Sequence, residues 1–99
     1  MMSNDEINKA AADMCGVTKP DYDVPHFCIG LEHYDYDWDI YTDARCREVV
    51  LDWAVLNGHF GWYYSYVYDW VYIKKYQNKT DMETACIEAI VKQWRKGDK

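Results

Sequence analysis

Twelve of the seventeen residues from Phe60 to Tyr76 are aromatic or β-branched. Such side chains favour extended backbone, where they stand clear of it and pack across strands. The run is too long for one strand and has a polar break at Asp69. It therefore predicts two strands joined by a tight hairpin near Tyr68-Asp69, in a turn without the usual glycine. Side chains of one parity share a face. Tyr63, Ser65, Val67 and Asp69 are the more polar set and are expected outward; Trp62, Tyr64, Tyr66 and Tyr68 are expected inward.

Helix signals flank this region. Ser3 and Glu6 have the spacing of a capping box, with Met2 and Ile7 at the staple positions. Ile7, Ala10, Ala11 and Met14 form an apolar stripe, and Gly16 is placed to end a helix over 3–15. A second helix is expected over 43–57, capped by Thr42 or Asp43 and stopped by Gly58. Its side carries Cys46, Val49, Val50, Trp53 and Asn57. Thr80 and Glu83 repeat the capping-box spacing ahead of a third helix over 81–96, with stripe Met82, Cys86, Ala89, Ile90 and Trp94. Between the first two helices, Pro20 and Pro25 oppose helix. Phe27, Ile29 and Leu31 alternate as in a short strand, and Asp35 to Asp39 reads as an exposed loop or edge. The fold class that follows is α+β: one domain over 1–99, with three helices packed on a small antiparallel sheet containing the aromatic β-hairpin.

Charge is concentrated in one stretch. The net charge is −6, yet residues 21–43 alone carry seven acids and no Lys or Arg. Nucleic acid is a poor electrostatic match for such a chain, and a protein with a basic surface is the natural complement. Aromatics make up 17% of the residues, too many for a core this small, and exposed Tyr and Trp favour interfaces. The candidate partner-binding residues are therefore the interleaved acids and aromatics Asp21, Asp23, Glu32, Tyr34, Asp35, Tyr36, Asp37, Trp38 and Asp39. Carboxylates spaced in this way can imitate nucleic-acid phosphates; a solubilising acidic loop has the same composition. The aromatic hairpin is a second candidate surface, for homo-dimerisation.

Sites for chemistry are sparse. Four cysteines occur, with no CxxC pair and no secretory leader, which predicts reduced thiols in a cytoplasm. No apolar run is long enough to span a membrane. His26 and Cys28, with Cys15 and His33 nearby, are metal-ligating types, but H-x-C is not a zinc pattern and no second knuckle follows, so they read as a buried cysteine with two surface histidines. Asp35, Asp37 and Asp39 lack the Gly and terminal Glu of a calcium loop. No nucleophile elbow or phosphate-binding glycine loop is present. The reading is a binding protein, not an enzyme, with no cofactor and no metal.

Three stretches carry a resemblance. Ile7-Asn8 through Cys15-Gly16, followed by Val24-Pro25-His26-Phe27-Cys28 and Leu31, resemble the start of small tailed-phage and prophage proteins. Those run from a helix ending in Cys-Gly to a Pro-aromatic-Cys stretch. Thr84-Ala85-Cys86-Ile87-Glu88-Ala89-Ile90 with Trp94 is similar to their final Ala-rich helix. Together these resemble the phage ABA-sandwich group, whose sheet lies between helices; Ile29-Gly30 departs from the usual Asn-Asp. The resemblance implies a phage protein in a bacterial host cytoplasm and supplies no catalytic residues. The resulting expectation is a phage-encoded accessory binding protein that inhibits a host or defence complex, in an anti-CRISPR or similar counter-defence role. The alternatives are a homo-oligomeric structural or regulatory phage protein and a small metal-dependent enzyme.

Overall fold

The computed structural model describes residues 2–19 and 25–97. Elements follow in the order α1 (Asn4–Cys15), β1 (Val17–Thr18), β2 (Phe27–Ile29), β3 (Glu32–Tyr34), α2 (Ala44–Leu56), α3 (Phe60–Tyr68), a π-helical turn (Asp69–Ile73) and α4 (Lys79–Gly97). The α+β class holds, with a small three-stranded antiparallel sheet of order β1-β2-β3. Among the described residues there are four α-helices rather than three.

The helix ends follow local chemistry. Ser3 and Glu6 close the capping box of α1, and Gly16 takes the left-handed conformation (φ 74) that ends it. Asp43 accepts from the Arg45 N–H and caps α2. α4 starts two residues before the expected 81–96. Asn78, not Thr80, provides the cap, its side-chain oxygen accepting from the Asp81 N–H at 2.8 Å.

α4 is the central helix, packed against α1, α2 and α3. Its Cys86, Ile87, Ile90 and Val91 meet Ile7, Ala10, Ala11 and Met14 of α1, Cys46, Val50, Leu51 and Ala54 of α2, Phe27 of β2, and Ile40. Arg47 is buried among these apolar groups. It donates to the Ile40 carbonyl at 2.9 Å and to Glu83 of α4 at 3.2 Å, so neither charge is stranded.

The aromatic stretch is not a hairpin. Residues 60–68 are α-helical and 69–73 form the π-helical turn. Aromatic β-preference reflects packing on a pleated surface more than backbone preference. Here α2 and α4 offer a helix-shaped seat, which Tyr63 and Tyr66 occupy against the core. The parity expectation fails with the hairpin: Trp62, Tyr64 and Tyr68 are exposed, while Tyr63 and Val67 are half-buried. The sheet comes from the segment before Tyr34 instead. Ile29 pairs with Glu32 around Gly30-Leu31. Gly30 has φ 59, the positive value a type II′ turn needs at its first loop residue.

Candidate functional site

Three regions hold the residues that composition singled out. The first is the acidic segment. Asp21 and Asp23 lie outside the described residues. Three of the segment's described aromatics turn inward: Tyr34 stacks on Phe27 with centroids 4.8 Å apart, Tyr36 and Trp38 meet Phe27 edge-on, and the Trp38 indole donates to the Asn8 carbonyl at 2.9 Å. The Arg45 guanidinium covers the Tyr36 ring at 3.6 Å.

Most of the acids in this segment have local partners. Asp37 pairs with Lys19 at 2.8 Å. Asp39 accepts from the Asn8 amide at 3.0 Å and from the Tyr41 N–H at 2.9 Å. Burial works to raise its pKa, but the hydrogen bonds from Asn8, Tyr41 and Thr42 prevail and hold it below the usual carboxylate value. Asp43 is held low by its hydrogen bonds with Arg45. Glu32 accepts from the Tyr34 hydroxyl at 2.7 Å. What the hairpin presents outward is Leu31, 96% exposed, beside Glu32 and Asp35.

The second region is the helix that replaces the expected hairpin. Neither α3 nor the π turn contains a fully buried residue. Phe60, Tyr64, Tyr68 and Tyr72 recur at intervals of four and are 56%, 59%, 45% and 70% exposed. They form a ladder of two contacting pairs, with centroids 6.2 Å apart for Phe60–Tyr64 and 4.9 Å for Tyr68–Tyr72. Trp62, Val71 and Ile73 flank it, also exposed. Four residues overshoot one α turn but fall short of one π turn. The π turn therefore reverses the sideways drift of the ladder and keeps Tyr72 against Tyr68. Lys74 ends the segment in a left-handed conformation, φ 62.

The third region is the β2–β3 hairpin face. His26 and Cys28 are two apart in sequence, and Cys28 is the register partner of His33. Their side chains converge: Cys28 Sγ lies 3.4 Å from His26 Nε2 and 3.3 Å from His33 Nδ1, and the two nitrogens are 3.2 Å apart. Cys15, grouped with them in the sequence, is not part of the cluster. The signal that could have found the cluster was the two-residue loop Gly30-Leu31, which fixes the pairing of Cys28 with His33.

Elsewhere the reactive groups are subdued. Burial pushes the Cys15 and Cys86 thiols up to about 12 and also raises Cys46, so these thiols stay protonated near neutral pH. A cleft of about 460 Å³ lies between α2 and α4, but its Arg47 and Glu83 already pair with each other. Among the described residues, no helix is long and apolar enough to cross a membrane. Comparison with known protein families, curated proteins and solved structures gave no match.

Proposed function

We propose that this chain is a binding protein that acts as a homodimer, pairing two copies through the aromatic ladder on α3 and the π turn. The observation that carries the reading is the exposure of Phe60, Tyr64, Tyr68 and Tyr72, spaced by four, on elements with no fully buried residue. Contiguous apolar patches of this kind mark contact surfaces, and Tyr and Trp dominate their energetics.

A second copy is the occupant that fits. Large aromatic side chains bury about 150–250 Å² each, so the half-exposed ladder and its flanks offer roughly 600 Å² per copy. That approaches the ~800 Å² per partner of a standard interface. The face is nearly uncharged, with Asp69 its one acid between Phe60 and Ile73. A face with so little charge can meet its own copy about a two-fold axis with little like-charge repulsion.

Sedimentation velocity tests this. The wild type is expected as a dimer at tens of micromolar, and Tyr64→Glu with Tyr68→Glu as a folded monomer. A wild type that stays monomeric at that concentration overturns the reading.

A second reading keeps the acidic segment as the contact to a basic host or defence protein in a phage setting. It is favoured by the exposed Leu31, Glu32 and Asp35 at the hairpin tip. Capture from bacterial lysate should then weaken with salt and with Glu32→Gln plus Asp35→Asn. Capture insensitive to both removes it.

A further inference from the structure

We propose that His26, Cys28 and His33 form a zinc(II) site, with ligand atoms Nε2, Sγ and Nδ1 and a fourth position filled by water. The three atoms form a triangle with sides 3.4, 3.3 and 3.2 Å. Zinc lies about 2.0–2.1 Å from imidazole nitrogen and about 2.3 Å from thiolate in tetrahedral sites, so neighbouring ligand atoms there stand about 3.3–3.6 Å apart. The observed triangle therefore has nearly the dimensions of one face of such a tetrahedron. A single ion just off its plane reaches all three donors with little movement.

The backbone explains why the donors meet. His26 immediately precedes β2, and in extended backbone residues two apart share a face, which aligns it with Cys28. The Gly30-Leu31 turn fixes the register that sets His33 opposite Cys28. The two imidazole rings stack with centroids 5.2 Å apart. Behind His26, Asp35 Oδ1 lies 3.8 Å from Nδ1, the nitrogen that does not face the cluster. At 3.8 Å the contact is longer than a hydrogen bond; closing it by less than about 1 Å on metal binding would let the Nδ1–H donate to Asp35 and fix the tautomer that leaves Nε2 for the metal.

The donor set excludes hard cations: two imidazoles and a thiolate suit zinc or copper, whereas magnesium and calcium require oxygen ligands, and the near-tetrahedral spacing of the three donors matches zinc. His33 is exposed while Cys28 is buried, so the open vertex faces water. A bound ion would staple β2 to β3 in a sheet whose strands are two or three residues long. The alternative is a hydrogen-bonded ring, in which the thiol and one imidazole N–H donate around the same triangle.

The reduced, metal-stripped full chain should be titrated with zinc against a chromogenic chelator, and with cobalt(II) followed by absorption. One zinc per chain and a thiolate-to-cobalt charge-transfer band are expected. His33→Ala and Cys28→Ser should each weaken zinc binding at least about 100-fold, since loss of a carboxylate behind a ligand alone costs 10–100-fold. Asp35→Asn should weaken it about 10-fold, and Cys15→Ser should leave it unchanged. Circular dichroism of each variant ensures that folded chains are compared; exposed His33 is the substitution least able to disturb the fold. Absence of one-to-one binding assigns the cluster to hydrogen bonding and overturns the proposal. So does zinc held as tightly by folded His33→Ala as by the wild type, or a cobalt spectrum without the thiolate band.

Discussion

Arg47 is the buried cation of this fold, and its removal gives a sharp test of how the helices are held together. Its side chain is 7% exposed and that of Glu83 is 12% exposed. Arg47→Ala deletes the bond to Glu83 at 3.2 Å and the bond to the Ile40 carbonyl at 2.9 Å. It leaves a largely buried carboxylate and a carbonyl without their donor, and a void where the side chain lay. Breaking one side of a buried pair costs about 3–5 kcal/mol. The cleft beside Glu83 admits water, which favours the lower end of that range. For a chain of this size, about 3 kcal/mol is a substantial part of a total of about 5–15 kcal/mol and lowers the melting temperature by roughly 12–24 °C. Urea denaturation followed by tryptophan fluorescence measures the loss. The double variant Arg47→Met with Glu83→Met should recover most of it, because no charge is then left buried alone. A loss below about 1 kcal/mol for Arg47→Ala, or a double variant worse than the single, would refute this account of the pair.

Two further outcomes follow from backbone and charge. Lys74 pays the left-handed penalty at φ 62, so Lys74→Gly should stabilise the fold by about 1 kcal/mol in thermal unfolding, and a β-branched residue there should destabilise it. Asp39 and Asp43 both have folded pKa values below their ordinary value of 3.8. Their stabilisation is therefore fully present above that value and is lost as pH falls through the lower folded pKa. Denaturation midpoints should hold steady from neutral pH to about pH 5 and then drop; Asn8→Ala should flatten the part of that drop due to Asp39.

What the sequence made legible, and what it hid, separates along a physical line. α1 could be read from Ser3, Glu6 and Gly16, because caps and left-handed stops act within a few residues. The stripe Met82, Cys86 and Ile90 marked α4 for the same reason. The segment after Gly58 was misread because aromatic residues report on the surface they pack against, and that surface belongs to distant helices. A helical cue was present in the four-residue spacing of Phe60, Tyr64, Tyr68 and Tyr72. The acidic segment looked like a free surface by composition, yet Tyr34, Tyr36 and Trp38 pack inward around Phe27. Its register against Asn8, thirty residues earlier, cannot be seen in local sequence. The convergence of His26, Cys28 and His33 depended on strand register, for which the Gly30-Leu31 loop was the local cue.

Nuclear magnetic resonance on the ¹⁵N-labelled chain across a dilution series tests the central claim most directly, because it locates the contact by residue. Concentration-dependent shifts confined to residues 60–75 and the adjoining ends of α2 and α4 are expected. Shifts centred on residues 31–37, with 60–75 unmoved, would contradict pairing through the aromatic ladder.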